Sequence, residues 1–327
     1  MNDDNDQVDD LGELRAGTDP MDGDSTPTET VPETPAETSS NLDPNSVGSD
    51  PVNLANGRVF AQEVDIAIPG PGPSIEFYRF YDGGNAAVGS FGRSWGNSYS
   101  QQLIMQWDYS MTLSKGDGGN DVYTFVRGTA PSVESFDGDP WIDCRLDQGN
   151  YVPPPNEYSV LRRNQDGSYS ILKGDGTEYR YDGNYAPWRE RAGYPSSGTH
   201  NRSTSGKLLW IEDLHGNRLT LSYDNQGRLI KVVDAVGRAI VFTYQNQVIK
   251  TVTDPLGRTM TYVYDDQLHL VQRIDSNGHR RLYAYGPNHQ LTTKTDERGY
   301  SLRYIYYPDG RAKEVLAPDG NVYIFLW

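Results

Sequence analysis

The sequence predicts an all-β protein, and three observations support that prediction. Tyrosine is abundant, with 23 residues against 8 phenylalanines, beside 34 glycines and 20 prolines in 327 residues. Aromatic residues favour strands, and Gly and Pro favour tight turns. No convincing helical periodicity occurs after residue 50. A repeat in residues 208–327 has the period expected of paired strands.

Residues 1–50 are predicted to form a disordered acidic tail rich in Pro and Thr. They hold 14 of the 45 acidic residues and one of the 29 basic residues, which leaves 31 acids and 28 bases elsewhere. Such a tail buries too little apolar surface to offset the entropy of ordering it, and docking to a basic partner is its functional alternative. Because the remaining chain has a net charge of only −3, we expect no nucleic-acid partner.

Neither a secretory signal nor a membrane span is expected. The first residues lack a positive region followed by an apolar region, as a signal peptide requires. No stretch reaches the roughly 18 apolar residues of a membrane-spanning helix. Cys144 is the single cysteine, so no disulfide within the chain is expected.

Residues 208–327 contain about six repeats, the last of them truncated. A glycine recurs every 20 or 21 residues, an Asp precedes most of these glycines by three positions, and a Tyr follows by seven. Asp-x-x-Gly predicts a turn, because the Asp side chain accepts backbone N–H groups and Gly supplies a positive φ. Apolar residues at the third, fifth and seventh positions after Gly predict a strand with one buried face. The predicted structural residues of the repeats are Asp213, Gly216, Tyr223, Asp234, Gly237, Tyr244, Asp254, Gly257, Tyr264, Asp275, Gly278, Tyr285, Asp296, Gly299, Tyr306, Gly320 and Trp327.

The segments "SYDNQGRLIKVVDAVGR" and "VYDDQLHLVQRIDSNGHR" resemble the YD repeats of rearrangement-hotspot (Rhs) proteins. A second, independent resemblance lies upstream, where "DPVNLANGRVFAQEVDIAIPGPGPSIEFYRFYDG" and "GSFGRSWGNSYS" are similar to the domain that precedes the repeats in that family. Its motif positions are Asp50, Pro51, Gly57, Pro69, Gly70, Gly72, Pro73, Arg79, Tyr81, Gly92 and Trp95.

The resemblance implies a division of the chain after its tail. Residues 51–155 would be an Rhs-type β domain that acts as a cap or plug, and residues 156–207 would be degenerate repeats and a loop. Residues 208–327 would be the YD repeats, an antiparallel sheet that forms part of a spiral shell.

In the resembled family the shell encloses a C-terminal toxin, which is often released by a self-cleaving aspartyl motif. Neither that motif nor an effector region is found in this sequence. The resemblance therefore implies a non-catalytic module, the cap and first part of a shell used in competition between bacteria. It also implies export by a specialised secretion route to the cell surface or beyond.

The partners implied are a continuing shell segment and a toxin domain, in the same or a downstream chain, with a secretion apparatus as a further candidate. The alternative is a stand-alone surface or secreted module that binds a glycan or a protein partner. For the glycan, the repeat tyrosines offer a stacking surface. Against it, these tyrosines are in phase with buried residues such as Leu219 and Ile240, which favours core packing.

The sequence offers four catalytic or metal interpretations and favours none of them, so no catalytic, cofactor-binding or metal-binding residue is predicted. Gly92–Gly96, "GRSWG", fits the nucleophile elbow around Ser94, but the residues after it predict a strand where the elbow needs a helix. The periodic Asp residues have a turn role that explains them without glycosidase chemistry. The acidic stretch 114–121 lacks the Asp-x-Asp-x-Asp-Gly pattern of a calcium loop, with weak cation binding as its alternative, and the stretch 134–141 is interpreted as a cluster of turn residues.

The histidines invite a metal interpretation, because three of them are spaced by ten residues. His269 and His289 fall in the second turns of successive repeats, and His279 falls beside a first turn. Since alternate turns lie on opposite edges of a sheet, we expect solvent-facing turn residues that do not converge. His200 and His215 are isolated.

The final segment, "DGNVYIFLW", is the sixth copy of the repeat strand. Val322, Ile324 and Leu326 would line one face, and Trp327 would occupy the Tyr position. An apolar strand with an unpaired edge is an association site. The sequence predicts that residues 321–327 self-associate or pair with a continuing chain.

Overall fold

The computed structural model describes residues 52–106, 108–127, 149–183 and 205–327. The acidic tail, Asp50, Pro51, Cys144, His200 and the stretch 134–141 lie outside these residues. The described residues form strands and turns without a helix, which confirms the all-β prediction. Accordingly, no helix in these ranges is long and apolar enough to cross a membrane.

The described ranges contain 24 strands, all of which pair antiparallel. Those of the N-terminal part are β1 (Phe60–Ile68), β2 (Ile75–Asp82), β3 (Val88–Gly89), β4 (Gly92–Arg93), β5 (Trp95–Asn97), β6 (Gln102–Met105), β7 (Met111–Ser114), β8 (Asn120–Arg127) and β9 (Gly149–Val152). Those of the following part are β10 (Ser159–Arg163), β11 (Tyr169–Lys173), β12 (Glu178–Tyr181), β13 (Leu208–Glu212), β14 (Arg218–Tyr223), β15 (Leu229–Val233), β16 (Ala239–Gln245), β17 (Val248–Thr253), β18 (Thr259–Tyr264), β19 (Leu270–Ile274), β20 (Arg280–Tyr285), β21 (Leu291–Thr295), β22 (Ser301–Tyr306), β23 (Ala312–Leu316) and β24 (Val322–Ile324).

The strands from β10 to β24 form one 15-stranded sheet, in which every strand pairs with its neighbours in sequence. We call it the repeat sheet. It contains the six predicted repeats and also β10–β12, from the segment where degenerate repeats are expected. The N-terminal strands form three smaller sheets, β1-β2-β5, β3-β4 and β6-β7-β8-β9.

The first turn of each repeat follows from its Asp-x-x-Gly sequence. In the turn at Asp254, one carboxylate oxygen accepts the N–H groups of Leu256 and Arg258, both at 2.9 Å. The N–H of Gly257 donates to the Asp254 carbonyl at 3.0 Å, with a φ of +80° at the glycine. A Cβ added at the six repeat glycines would meet nothing within 4 Å, so glycine is needed there for its backbone conformation alone.

The second hairpin of each repeat contains a β-bulge at its tyrosine. In β18 and β19, Val263 pairs with Gln272, but Tyr264 pairs with Leu270. The same shift occurs at the tyrosine of the other four complete repeats. An extra residue in one strand increases the local twist and redirects the side chains beside it.

The N-terminal strands and the repeat sheet share one hydrophobic core. Phe77 of β2 meets Phe242 of β16 edge to face, with ring centroids 5.3 Å apart, and Phe91 meets Tyr262 of β18 in the same way at 4.8 Å. Such pairs add to the stabilisation that burial itself provides. We call the face of the repeat sheet that makes these contacts its inner face.

Candidate functional site

The tyrosine at the seventh position after each repeat glycine joins neighbouring repeats. Its hydroxyl donates to the backbone carbonyl of the residue 15 positions earlier, at the start of a preceding return strand. In the sixth copy the indole N–H of Trp327 makes the same bond. The donor and acceptor residues are Tyr223 and Leu208 (2.7 Å), Tyr244 and Leu229 (2.9 Å), Tyr264 and Ile249 (2.8 Å), Tyr285 and Leu270 (2.8 Å), Tyr306 and Leu291 (2.5 Å), and Trp327 and Ala312 (2.6 Å).

These tyrosine rings are partly buried against the core. This agrees with the prediction that they pack in the core, and it disagrees with a surface on which sugar rings stack. Burial raises the pKa of each hydroxyl, so the groups stay protonated and able to donate. The repeated tyrosine thus has two structural roles, filling the core and bonding the preceding strand.

A buried ionic cluster joins β1 and β2 to the repeat sheet. Arg79 of β2 lies directly opposite Glu63 of β1, with its Nη2 atom 2.8 Å from the Glu63 Oε2 atom. Its Nε atom lies 2.5 Å from Asp65 Oδ2, and Nη2 lies 3.1 Å from Asp65 Oδ1. The Arg79 side chain is 0% exposed and both carboxylates are 1% exposed. Ionised side chains that are this deeply buried need oppositely charged and hydrogen-bonding partners to offset their desolvation.

A β-bulge in β1 brings the second carboxylate into this cluster. Val64 pairs with Tyr78 and Ile66 pairs with Phe77, so Asp65 is the extra residue without a partner in β2. Asp65 and Ile66 are consecutive, yet both are buried. Regular alternation would place only one of them on that face.

The repeat sheet supplies the remaining partners. The hydroxyl of Tyr262 in β18 donates to Asp65 Oδ2 at 2.7 Å, and that of Tyr283 in β20 donates to Glu63 Oε2. These two tyrosines occupy the fifth position after their repeat glycines, which Leu221 and Phe242 fill in earlier repeats. A tyrosine there keeps the apolar contact of the core and adds a donor for the carboxylates.

Further charges from β19, β20 and the first turn after β21 surround the cluster. Arg273 Nε lies 3.3 Å from Asp65 Oδ1, and Arg281 Nη1 lies 3.5 Å from Glu63 Oε2. Glu297 bridges these two arginines, at 3.1 Å and 2.8 Å. We call Glu63, Asp65, Arg79, Tyr262, Arg273, Arg281, Tyr283 and Glu297 together the Arg79 cluster.

Aromatic rings enclose the Arg79 guanidinium and keep water away from it. A guanidinium near ring faces gains a cation–π contribution that grows as the site is desolvated. Rings from both sides of the interface contribute, at centroid distances from the Arg79 Cζ atom of 5.1 Å for Trp95, 5.4 Å for Tyr262, 5.8 Å for Tyr283 and 6.0 Å for Phe91.

Glu63 and Arg79 keep their charges at neutral pH. Burial opposes ionisation of Glu63, but the positive charges of Arg79, Lys294 and Arg281 and the Tyr283 hydroxyl outweigh it and lower the pKa of Glu63 to about 2. Burial likewise opposes the charge of Arg79, and Asp65, Tyr283 and Glu63 nevertheless raise its pKa well above the ordinary value. Each charged form is thus stabilised by its neighbours.

Backbone hydrogen bonds extend this interface along consecutive second turns. The N–H of Ile249 donates to the carbonyl of Ser90, and the N–H of Leu291 donates to the Tyr81 hydroxyl. Each of these contacts, at 2.7 to 2.8 Å, meets a different repeat. The full series, in donor and acceptor order, is Ile249 and Ser90 (2.7 Å), Arg93 and Leu268 (2.8 Å), Leu291 and Tyr81 (2.8 Å), and Ala312 and Gly57 (2.7 Å).

The described residues of the predicted N-terminal motif lie largely at this interface. Trp95 is 2% exposed, and its indole N–H donates to the Tyr285 hydroxyl at 2.8 Å. Gly92 has a φ of +82°, and a Cβ there would approach the Leu268 carbonyl oxygen to 2.2 Å. The other motif positions with contacts to the repeats are Gly57, Pro69, Gly70, Gly72, Arg79 and Tyr81; Pro73 lies beside them in the loop before β2.

The sequence analysis missed most of the Arg79 cluster, although it had singled out Arg79. Glu63 and Asp65 share the buried face of β1 with Ala61, and Arg79 shares the buried face of β2 with Phe77. Charges in phase with buried apolar residues were the available signal. Which repeat residues would meet them could not be read from local sequence.

The geometry around Ser94 differs from a nucleophile elbow. Ser94 has a φ of +65° and is 6% exposed, but strand β5 follows it directly. The backbone N–H donates to Ala87 at 3.0 Å, and the carbonyl accepts from Asp82 at 2.9 Å. The strand–serine–helix arrangement of the elbow is therefore not formed here.

The expectation that the turn histidines face solvent without converging is wrong for two of them. His269 is 3% exposed, and its Nε2 atom lies 3.0 Å from Nδ1 of His289. The second turns of successive repeats lie side by side, so a spacing of 20 residues returns to the same edge. His279 and His215 are exposed first-turn residues.

The acidic loop at residues 114–121 is held by its own contacts. Asp117 accepts the Gly119 N–H at 2.8 Å, and Lys115 pairs with Asp121 at 2.9 Å. Within the described ranges, no group of three or more His, Cys, Asp or Glu side chains is arranged to hold a metal ion.

Comparison with known proteins places two family profiles on the chain. The profile described as a domain of unknown function (DUF6531) matches residues 49–123, and the RHS Repeat profile matches residues 223–259 and 264–301. The first covers most of the strands that build the N-terminal side of the interface, and the second covers central hairpins of the repeat sheet.

Curated relatives match over most of the chain. Double-stranded DNA deaminase toxin A from Burkholderia cenocepacia (strain H111) is 26% identical over 283 residues, 85% of this chain and 16% of that protein. Probable deoxyribonuclease RhsB from Dickeya dadantii (strain 3937) is 26% identical over 278 residues, 83% of this chain and 17% of that protein. The chain thus spans about one sixth of the length of these relatives.

Solved structures also match, with low TM-scores. The TcdB2-TccC3-Cdc42 structure gives a TM-score of 0.34 at 11% identity over 83% of this chain and 15% of that chain. The N-terminal domain of the effector protein SpvB from Salmonella typhimurium strain LT2 gives 0.27 at 16% identity, over 81% and 100% of the two chains. The matched profiles and relatives, together with the periodic turns and tyrosines, show that the chain contains RHS repeats and is similar to Rhs proteins.

Proposed function

We propose that this chain is a non-catalytic structural module, in which the N-terminal strands cap the inner face of the repeat sheet and fix its shape. The observation that carries the proposal is the Arg79 cluster. A buried ion pair is costly to form, and removing one partner costs more than the pair contributes. The cluster therefore holds the two parts in a single arrangement.

The proposed module is the cap and opening segment of an Rhs-type shell around a toxin. Three inferences go with it: a continuing shell segment and a toxin domain as partners, export by a specialised secretion route, and a role in competition between bacteria. Support comes from the relatives, of which one is named a toxin and one a probable deoxyribonuclease. Those proteins are about six times longer than the matched region, and the proposal places their activities in regions outside this match.

Replacing Arg79 with Met in the full chain tests the capping role. The variant keeps much of the side-chain volume but leaves Glu63 and Asp65 buried without their main partner. We expect the free energy of unfolding to fall by about 3–5 kcal/mol, measured by denaturant titration. Hydrogen exchange should show protection lost together in β1, β2 and the repeat strands from β18 to β21.

The matched control is Arg258→Met, which removes an ion pair at a first turn outside the Arg79 cluster. Its side chain is 60% exposed, so the expected loss is at most about 1 kcal/mol. If Arg79→Met lost protection in β1 and β2 alone, the N-terminal strands would not be fixing the repeat sheet, and the capping role would be rejected.

A cavity beside the first repeats favours a second function, glycan binding. The cavity has a volume of about 490 Å³ and lies between the loops around β3 and β5 and the second turns of the first repeats. Amide and cationic side chains in its lining are suited to hydrogen bonds with sugar hydroxyls. Its lining includes Tyr223, Tyr244, Gln226, Gln247, Lys207 and Arg228.

Glycan-array binding with matched variants tests this second function. Gln226→Ala removes a cavity amide, whereas Gln267→Ala removes the residue at the same turn position of another repeat, outside the cavity. Binding that falls at least about tenfold only in the first variant would support the function, since one lost hydrogen-bond pair to a sugar is worth on the order of 1.4 kcal/mol. Absence of glycan binding by the unmodified chain would reject it.

A further inference from the structure

One edge of the repeat sheet carries a row of side chains that join successive second turns. Three long side chains in this row donate to a backbone carbonyl of the following turn. His269 occupies the corresponding place, but its partner is the ring of His289. The carbonyl-bound members are Lys207 to Gly227, Arg228 to Asn246 (2.8 Å) and Gln290 to Gly310 (2.7 Å).

Neighbouring groups fix the orientation of the His269 ring. The Nδ1 atom of His269 lies 2.8 Å from Asp265 Oδ2, and the ring stacks on Tyr285 with centroids 4.5 Å apart. An ionised carboxylate only accepts, so Nδ1 carries the proton and Nε2 presents its lone pair. The His269 Nε2 atom lies 3.0 Å from Nδ1 of His289. His289 is a turn residue with a φ of +63°.

We propose that His269 and His289 form a binding site for a divalent first-row transition metal, which would link two successive repeats. Two imidazole nitrogens bound at about 2.0–2.1 Å to a tetrahedral metal are about 3.3 Å apart, close to the separation found here. A metal-bound histidine commonly donates its other ring N–H to a carboxylate, which is the role of Asp265.

The site takes two protein ligands and leaves the remaining positions to water. His289 is only partly buried, so solvent reaches the pair. Binding displaces the proton shared by the two rings. Imidazole ligands suit Cu²⁺, Ni²⁺ and Zn²⁺, and Cu²⁺ binds most tightly in this series, which makes it the most sensitive probe.

The test is a Cu²⁺ titration of the full chain by calorimetry, with electron paramagnetic resonance to count nitrogen ligands. We expect one site with two coordinated nitrogens and a rise in melting temperature with metal. His269→Gln introduces the residue type that Gln290 provides at the equivalent position of the next turn. His289→Asn introduces a residue that tolerates a positive φ. Each should weaken Cu²⁺ binding at least tenfold while leaving the metal-free melting temperature within a few degrees.

Two further variants separate the site from adventitious binding. Asp265→Asn should weaken binding by about 10–100-fold, because the carboxylate orients and activates His269. His279→Gln, on the opposite edge, should change nothing. Absent binding, or binding that is equal in the unmodified chain and in both His269→Gln and His289→Asn, would overturn the proposal.

Discussion

At the scale of the residue, the repeated tyrosine is explained by its hydroxyl as much as by its ring. Phenylalanine would fill the same space, but it could not donate to the carbonyl 15 residues earlier. Trp327 supports this interpretation, because its indole N–H bonds the Ala312 carbonyl at 2.6 Å in the place of a phenol. The position therefore requires an aromatic ring that also carries a donor.

Tyr264→Phe tests the contribution of one such bond. The change leaves the Ile249 carbonyl without its side-chain donor, so we expect the free energy of unfolding to fall by about 1–2 kcal/mol. Tyr300→Phe is the control, since Tyr300 is 58% exposed and lies in a first turn. Denaturant titration of both variants measures the difference. Equal stability of the two would show that the ring alone matters.

At the scale of the element, turns and bulges differ in how far they can be predicted. The Asp-x-x-Gly turns follow from local chemistry, because a carboxylate and a glycine within five residues determine them. The bulge at Tyr264 depends on pairing with Leu270 in the next strand, so its cause is spread over two strands. The bulge at Asp65 is of the same kind, and it decides which charges of β1 reach the core.

At the scale of the whole molecule, the N-terminal strands act across several repeats. Laid flat, 15 strands would extend about 70 Å at about 4.8 Å per strand, and nothing within a single hairpin fixes the curvature of such a sheet. Backbone contacts to four successive second turns and the Arg79 cluster provide that constraint. Residues about 200 positions apart in sequence, such as Arg79 and Tyr283, are joined there.

The pH dependence of stability should report on this interface. The pKa of Glu63 is lowered from 4.5 to about 2 in the folded protein, so its stabilising effect is complete above the unfolded value and is lost as pH falls toward 2. Glu63→Gln cannot ionise, and we expect it to be less stable than the unmodified chain at pH 7. The stability difference should shrink steadily between about pH 4.5 and 2, as measured by denaturant titration at each pH. A constant difference would contradict the assigned ionisation.

The sequence by itself determined the all-β class, the repeat period and the turns, because each depends on residues close together in the chain. Only the tertiary structure decided that Arg79 meets Tyr262 and Tyr283, and that His269 meets His289. Those pairings depend on how many strands lie between the partners and how the sheet curves. Pairing and curvature arise from the summed register of many strands, including the bulges. No local sequence pattern specifies the combined register of all these strands, so the interface can be identified only from the folded structure.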